Sequence, residues 1–388
     1  MPWKAAVAAA VLIAATGLAC RDATRPEQDV AATQTGPVPG EYIVVFQPSV
    51  ANPVALAAQL VRGQGGTLRF TYTSALKGFA ATLPAAAAQA LARNPLVSYV
   101  EQDQVYRVDV TQSMDANGDP WGLDRVDQQT GPLSRTYTYT ATGAGVHAYI
   151  IDTGIWTLHP DFGGRANNVY DAFGATGEDC HGHGTHVAGT IGGTTYGLAK
   201  GVSLHGVRVL SCAGLGLTSQ IIAGIDWVRQ NAVRPAVANM SLGGGLSTAL
   251  NDATTNLWNS GVFVAVAAGN DNADACTASP ASATGAFTAA ASEKTDAKAS
   301  YSNWGNCVEA YAPGSAIVSD FLLGTTMSLS GTSMASPHFA GVAVLYKATF
   351  GDQASATVSN WIVTNATNGV ITGNPAGTPN KLLYKSTL

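Results

Sequence analysis

The sequence predicts an α/β protein, a parallel sheet covered by helices on both faces, behind a small α+β unit at the N-terminal side. Three observations carry that prediction. Nearly continuous apolar runs, VHAYIID (Val146–Asp152), LHGVRVL (Leu204–Leu210), AVANMSL (Ala236–Leu242) and VFVAVAAGN (Val262–Asn270), have the length and texture of strands buried on both faces. Stretches of helical spacing alternate with them, notably TSQIIAGIDWVRQNA and STALNDATTNLWNSG, and each opens on Thr or Ser, as a helix start favours. Ahead of this alternation, residues 41–108 follow a different pattern of short strands and two short helices.

Taken in order, residues 1–20 read MPWKAAVAAAVLIAATGLAC, one lysine followed by an apolar run. The run is shorter than the ~20 residues of a membrane span, and small residues precede Cys20, so an export signal is expected. Cys20 offers a second reading as an acylated lipoprotein cysteine, although Leu18 stands two residues before it where that pattern wants three. Residues 21–40 are polar, rich in Pro and Gly and without periodicity, which reads as a linker. In 41–108, EYIVVF, GTLRFTYT, GFAATL and VSYVEQDQVY read as strands, with helices over Val54–Arg62 and Pro84–Arg93. That order is the ferredoxin-like open sandwich.

At 388 residues the chain can bury a large core, and its 12% charged residues and net charge of −5 leave no basic stripe for nucleic acid. Setting Cys20 aside, Cys180, Cys212, Cys276 and Cys307 are an even set in an exported chain, which favours two disulfides among three possible connectivities.

Chemistry concentrates in three segments: IIDTGI around Asp152, GHGTHVAGT around His183 and SGTSMASPHFAG around Ser333. A serine hydroxyl becomes a useful nucleophile when a base takes its proton, and the base needs a carboxylate to hold its tautomer. The segments offer one residue for each role. His183 and Ser333 both stand where a helix should begin, with unpaired N–H groups and a partial positive charge directed at the site. His181, His183 and His186 also admit a zinc reading, but glycines separate the first two and no glutamate sits in the H-E-x-x-H position. A non-catalytic binding protein is the other alternative, and it would be expected to have lost part of this set.

With these motifs in the order Asp, His, Ser, the region from Trp121 to about Tyr384 resembles the subtilase family of serine proteases, in particular the proteinase K-like branch and its disulfide-bearing aqualysin-type members. WGLDRVDQ, RPAVANMSLGGG, AAGNDNADAC and GTSMASPH carry the likeness. The resemblance implies a secreted serine endopeptidase in which Asp152 orients, His183 acts as base and then acid, Ser333 attacks, and Asn270 donates its amide to the oxyanion. It implies a substrate strand held between Gly214, Leu215 and Gly216 on one edge and Ser241, Leu242 and Gly243 on the other. Small residues at Ala267, Ala268 and Gly269 then suggest a roomy apolar first pocket and broad specificity for polypeptides. Residues 41–108 resemble the family's inhibitory propeptide, with cleavage expected between Val108 and Thr111 and a catalytic domain over 111–388 that is monomeric once mature. The insertion MDANGDP departs from the relatives at this junction. The resemblance further implies bridges Cys180–Cys212 and Cys276–Cys307, and structural calcium at Asp124, Asp127, Gln128, Ser134 and Thr136. A second calcium site would use Thr284, Ala286 and Glu309, where the family has an aspartate. His181 stands where these relatives have asparagine.

Overall fold

A computed structural model of the chain describes residues 36–107, 111–112 and 120–388. The expected export signal, Cys20, most of the linker, the junction at 108–110 and residues 113–119 lie outside them. The first unit runs β1 (Gly36–Phe46), α1 (Pro53–Gly63), β2 (Thr67–Tyr72), β3 (Gly78–Thr82), α2 (Ala85–Leu91) and β4 (Val97–Arg107). Its strands are ordered β2-β3-β1-β4 and all pair antiparallel, as the ferredoxin-like reading requires. One boundary differs from the sequence reading. β1 begins at Gly36, because Gly36 and Pro37 pair with Val105 and Gln104 before a register shift leads into Tyr42. Prolines are tolerated there because β3 ends opposite Glu41, leaving this stretch an edge.

β5 (Thr111–Gln112), α3 (Trp121–Val126), β6 (His147–Asp152), β7 (Ala166–Asp171) and α4 (His183–Gly192) open the larger unit. β8 (Ser203–Arg208), β9 (Leu215–Leu217), α5 (Thr218–Asn231), β10 (Ala236–Met240), β11 (Gly244–Gly245), α6 (Thr248–Asn259), β12 (Phe263–Ala267) and β13 (Ala278–Ser279) follow. β14 (Phe287–Ser292), β15 (Ala310–Pro313), β16 (Ile317–Asp320), β17 (Thr326–Ser330), α7 (Thr332–Phe350), α8 (Ser355–Asn365), β18 (Thr367–Asn368) and β19 (Lys381–Leu382) complete it.

The central sheet has the order β18-β19-β15-β14-β12-β10-β6-β8-β7, parallel throughout except for the β18–β19 pair at one edge. Alternation along each strand divides the core. Ala148 and Ile150 of β6 and Phe263 and Ala265 of β12 pack with Val187, Ala188 and Phe339 from α4 and α7 on one face. Tyr149, Ile151, Val264 and Val266 pack with Ile221, Ile225 and Leu250 from α5 and α6 on the other. Both faces are covered, and so the strands read as unbroken apolar runs.

The small unit docks on α5 and α6, with Ile43, Val45, Tyr72, Ala80 and Tyr106 joining the second of these clusters. Its opposite face, around Val44, Phe46, Phe79 and Leu91, packs with α1 and α2. Ser247 caps α6 as expected, accepting from Leu250 N, but Thr218 lies inside α5, whose N-cap residue is Leu217, and within the helix only the Gln220 side chain reaches back, accepting from Leu217 N at 2.8 Å. The small unit supplies what is missing: the Asp103 carboxylate accepts from Ser219 N at 3.1 Å and from Ser219 Oγ, while Glu101 accepts from Ala249 N at 3.1 Å and from Ser247 Oγ. In return Asp226 of α5 accepts from Ser74 N and Ala75 N, both at 2.6 Å.

Disulfides join Cys180 to Cys212 and Cys276 to Cys307, with Cα separations of 5.0 and 5.3 Å.

Candidate active site

The site lies beyond the carboxyl ends of the parallel strands, where α/β sheets place their chemistry. Asp152 is the last residue of β6 and is fully buried. His183 Nδ1 lies 2.8 Å from Asp152 Oδ1. Because the carboxylate only accepts, the proton is on Nδ1, and Nε2 carries the lone pair a base needs. His183 is the first residue of α4, whose start is held by two side chains: Thr153 Oγ1 accepts from Gly184 N at 2.9 Å, and the buried Asp179 accepts from His181 N, Gly182 N and Thr185 N at 2.9, 2.9 and 3.0 Å. Asp179 was not singled out from the sequence. The signal was an acidic residue just ahead of a helix start, a capping pattern.

Ser333 sits in the first turn of α7, which packs against α4. Pro337 lies inside the same helix and has no N–H to give to the Ser333 carbonyl four residues earlier. Ser241 takes over that duty. Its Oγ donates to Ser333 O at 2.7 Å, while the Ser333 hydroxyl donates to Ser241 O at 3.1 Å. Ser241, expected on a substrate edge, therefore lies beneath Ser333. Among the described residues His183 Nε2 makes no hydrogen bond.

Asn270 follows β12. Its Oδ1 accepts from Thr332 N at 2.8 Å and from Thr332 Oγ1 at 2.9 Å, which fixes the orientation of the amide and turns its nitrogen end the other way. Asn303, invisible to sequence reasoning because it lies 33 positions on in an irregular loop, holds this turn: its Oδ1 accepts from Asp271 N and Ala273 N at 3.0 and 2.9 Å, and its Nδ2 donates to Ala268 O at 2.9 Å. A cavity of about 330 Å³ opens between Gly243, Ala268, Gly269, Asn270, Thr332 and Ser333.

The edge at Gly214–Leu217 is occupied by the small unit. Val105, Tyr106 and Arg107 of β4 pair antiparallel with Leu217, Gly216 and Leu215 of β9. Tyr106 is completely buried and donates its hydroxyl to Gly245 O at 2.7 Å. Only a glycine admits its ring, since a Cβ on Gly244 would lie 2.7 Å from Tyr106 Cδ1. On the other side, Thr111 and Gln112 of β5 pair with Ser330 and Leu329 of β17. The chain thus reaches the site on one edge at Arg107 and leaves it on another at Thr111, with Ser333 following β17 by three residues.

The three histidines do not converge. His183 Nδ1 is taken by Asp152, and His186 Nε2 lies 3.0 and 3.1 Å from the carbonyls of Ile317 and Met327, so it donates there and bridges two strands. Burial pushes His186 down to about 3, which keeps it neutral. His181 presents its edge to His183 with ring centroids 6.3 Å apart, and burial followed by the charge of His183 lowers its pKa.

At the first expected calcium position, Asp124 Oδ1 accepts from Ser134 N at 3.0 Å and Ser134 Oγ at 2.9 Å, Ser134 Oγ lies 2.7 Å from Thr136 Oγ1, and Gln128 Oε1 accepts from Ser134 N at 3.0 Å. Asp127 is turned toward Thr138 N at 2.7 Å and the Lys385 ammonium at 3.1 Å. The gathered donors are hard oxygens, which suits calcium. At the second position Thr284 and Ala286 precede β14, while the Glu309 carboxylate accepts from Thr288 N and is pushed up to about 8 by burial. That carboxylate is engaged with the backbone, so this set fits a cation less well.

Residues 143–381 match the subtilase family, and residues 41–109 match the peptidase inhibitor I9 family. The chain is 46% identical to an extracellular serine proteinase of Thermus sp. (strain Rt41A), over 95% of this chain and 97% of that one. It is also 46% identical to a subtilisin-like serine protease, AsES, of Sarocladium strictum, over 88% of each chain. A crystal structure of a cold-adapted subtilisin-like serine proteinase superposes with a TM-score of 0.68 at 49% identity, covering 69% of this chain and 98% of that one.

Proposed function

From the premise that this chain belongs to the subtilase family of serine proteases and carries an I9 inhibitor propeptide ahead of its peptidase domain, we propose that it is an exported endopeptidase of broad specificity that releases itself by cutting its own chain between Val108 and Thr111. The observation that carries this reading is the pairing on both sides of Ser333, with Val105–Arg107 added to β9 and Thr111–Gln112 added to β17. An extended polypeptide laid the same way gains affinity from main-chain hydrogen bonds that ask little of its side chains. Small residues at Ala267, Ala268 and Gly269 leave the adjoining pocket open to varied side chains.

In the proposed reaction Ser333 Oγ attacks the scissile carbonyl carbon as His183 Nε2 takes the hydroxyl proton. The oxyanion forms against Asn270 Nδ2 and the Ser333 N–H at the start of α7. Asp152 holds the Nδ1 tautomer and stabilises the imidazolium. His183 then passes the proton to the departing amine, leaving an acyl-enzyme. Water, deprotonated by the same imidazole, hydrolyses the ester and restores Ser333. After cleavage the propeptide stays on β9 as an inhibitor, anchored by Tyr106, Glu101 and Asp103.

Calcium is assigned a structural part: Asp124, Gln128, Ser134 and Thr136, with Asp127 beside them, would hold it and tie the loop after α3 together. Thr284, Ala286 and Glu309 are the second candidate set.

N-terminal sequencing of wild type and Ser333→Ala tests the reading. Wild type should yield a new terminus between residues 108 and 111 while Ser333→Ala remains a single precursor. Release of the same terminus by purified Ser333→Ala would exclude self-cleavage by this serine.

A further inference from the structure

The hairpin of β16 and β17, whose outer strand pairs with Thr111–Gln112, is anchored by a side chain that the chemistry above does not use. Asp320 closes the hairpin opposite Thr326, is fully buried, and among the described residues receives no hydrogen bond at either carboxylate oxygen. An ionised carboxylate without donors is costly in such a place. Asp161, in the short 3₁₀ turn Pro160–Phe162, stands beside it. A Cβ placed on Gly193 would lie 2.5 Å from Asp161 Oδ2 and 2.8 Å from Asp320 Oδ2, so only a glycine there lets the two carboxyl groups face each other.

Among the described residues no cation is directed at Asp320. His159 lies 3.5 Å from Asp320 Oδ1, yet its Nε2 donates to Thr325 O at 2.9 Å and its Nδ1 accepts from Asp161 N at 3.2 Å. The Arg165 guanidinium donates to the carbonyls of Gly192, Val202 and Asp161 and to Thr194 Oγ1, and Lys200 Nζ donates to the carbonyls of Thr194, Thr195 and Gly197. From α4 the only titratable group on the hairpin is His186, spent on Ile317 O and Met327 O, and the remaining group near the pair is the Tyr196 phenol.

We propose that Asp320 is the neutral acid of a carboxylic acid–carboxylate pair, that its O–H donates to Asp161, and that this shared proton positions the β16–β17 hairpin and with it the edge that receives the leaving-group side of the substrate. Two carboxyl groups at close quarters do not both ionise, and the protonated one becomes the donor that is otherwise missing. Burial first, then the charge of Asp161, pushes Asp320 up to about 8. A carboxyl raised in this way gives the fold a stability that is fully present below its unfolded value of 3.8, declines as pH rises, and is gone above about 8. Asp320 is a positioning residue, and the inference rests on Ser333 being the nucleophile and β17 the edge.

The test compares two substrates of the mature enzyme across the pH range around 8. One is a quenched peptide extending several residues past the scissile bond, and the other is the same acyl sequence ending in p-nitroanilide. The ratio of their kcat/KM values should fall severalfold in wild type as pH rises through about 8, through KM, and should stay level in Asp320→Asn, which keeps a donor but cannot titrate. A level ratio in wild type, or the same fall in Asp320→Asn, overturns the proposal. So does a fall abolished by added calcium, which would place a cation between the carboxylates. If neither substrate is cut, the catalytic assignment fails instead, and the unfolding midpoint still decides: in wild type it should fall as pH rises from about 4 towards 8 and level off above, and a midpoint with no more fall over that window than in Asp320→Asn refutes the pair.

Discussion

Tyr106 is expected to carry most of the propeptide's hold on the cleft, and its replacement gives a prediction with a definite size. The ring is completely buried, lies against Gly244 where no other residue type would fit, and ends in a hydroxyl that donates to Gly245 O at 2.7 Å. Removing a buried aromatic side chain costs about 3–5 kcal/mol, and the lower end applies because the cleft is open to water that refills the space. At 1.4 kcal/mol per tenfold, about 3 kcal/mol is roughly a hundredfold in the inhibition constant. Tyr106→Phe removes only the hydrogen bond, about 1 kcal/mol or roughly fivefold. The assay is inhibition of the mature enzyme by the released propeptide of each variant, read also as a shorter lag between self-cleavage and the onset of activity. Gly244→Ala, whose Cβ would invade the ring, should weaken the wild-type propeptide and affect Tyr106→Ala much less, a coupling that identifies the contact itself. If the Tyr106→Ala propeptide inhibited within about threefold of wild type, burial of this ring would not be what holds the strand in the cleft.

Three further outcomes are expected. Asn270→Ala should lower kcat by about 10²–10³ with KM little changed, the drop known for the oxyanion-hole asparagine in subtilisin, and an unchanged kcat would remove Asn270 from the oxyanion site. Ser241→Ala leaves the Ser333 carbonyl, already denied a partner by Pro337, unsatisfied in the core; it should cost about 1–3 kcal/mol in denaturant unfolding of the inactive precursor, and an unaltered midpoint would contradict that account. Chelation should lower the melting temperature of wild type more than that of Asp124→Asn, with calcium restoring it, and equal sensitivity of the two proteins would exclude Asp124 as a ligand.

The parallel sheet was readable because its strands are buried on both faces: AVANMSL and VFVAVAAGN are nearly continuous apolar runs, a pattern that an edge or half-exposed strand would not show. The propeptide's two helices and four strands were equally legible, in the chain order of a ferredoxin-like sandwich. The start of β1 was not, since Pro37 and Pro39 argue locally for a linker and only the reach of β4 gives Gly36 and Pro37 partners. The cap of α5 also escaped, because Thr218 at a helix start suggests self-capping while the actual acceptor, Asp103, arrives from another unit 116 positions away.

The site divides in the same way. Asp152, His183, Asn270 and Ser333 each lie in a short segment whose local structure announces them, a strand end or a helix start, so their candidacy was decided by sequence alone. Their supports depend on contacts between segments far apart in the chain. Asn303 steadies the Asn270 turn, Ser241 replaces the helix bond that Pro337 removes, and Asp161 meets Asp320 across 159 positions because Gly193 leaves the space. Residue type and neighbours specify what a side chain can do. Which buried donor or acceptor completes it is settled only when packing brings distant segments together, because a buried polar group must find its partner wherever the fold happens to supply one.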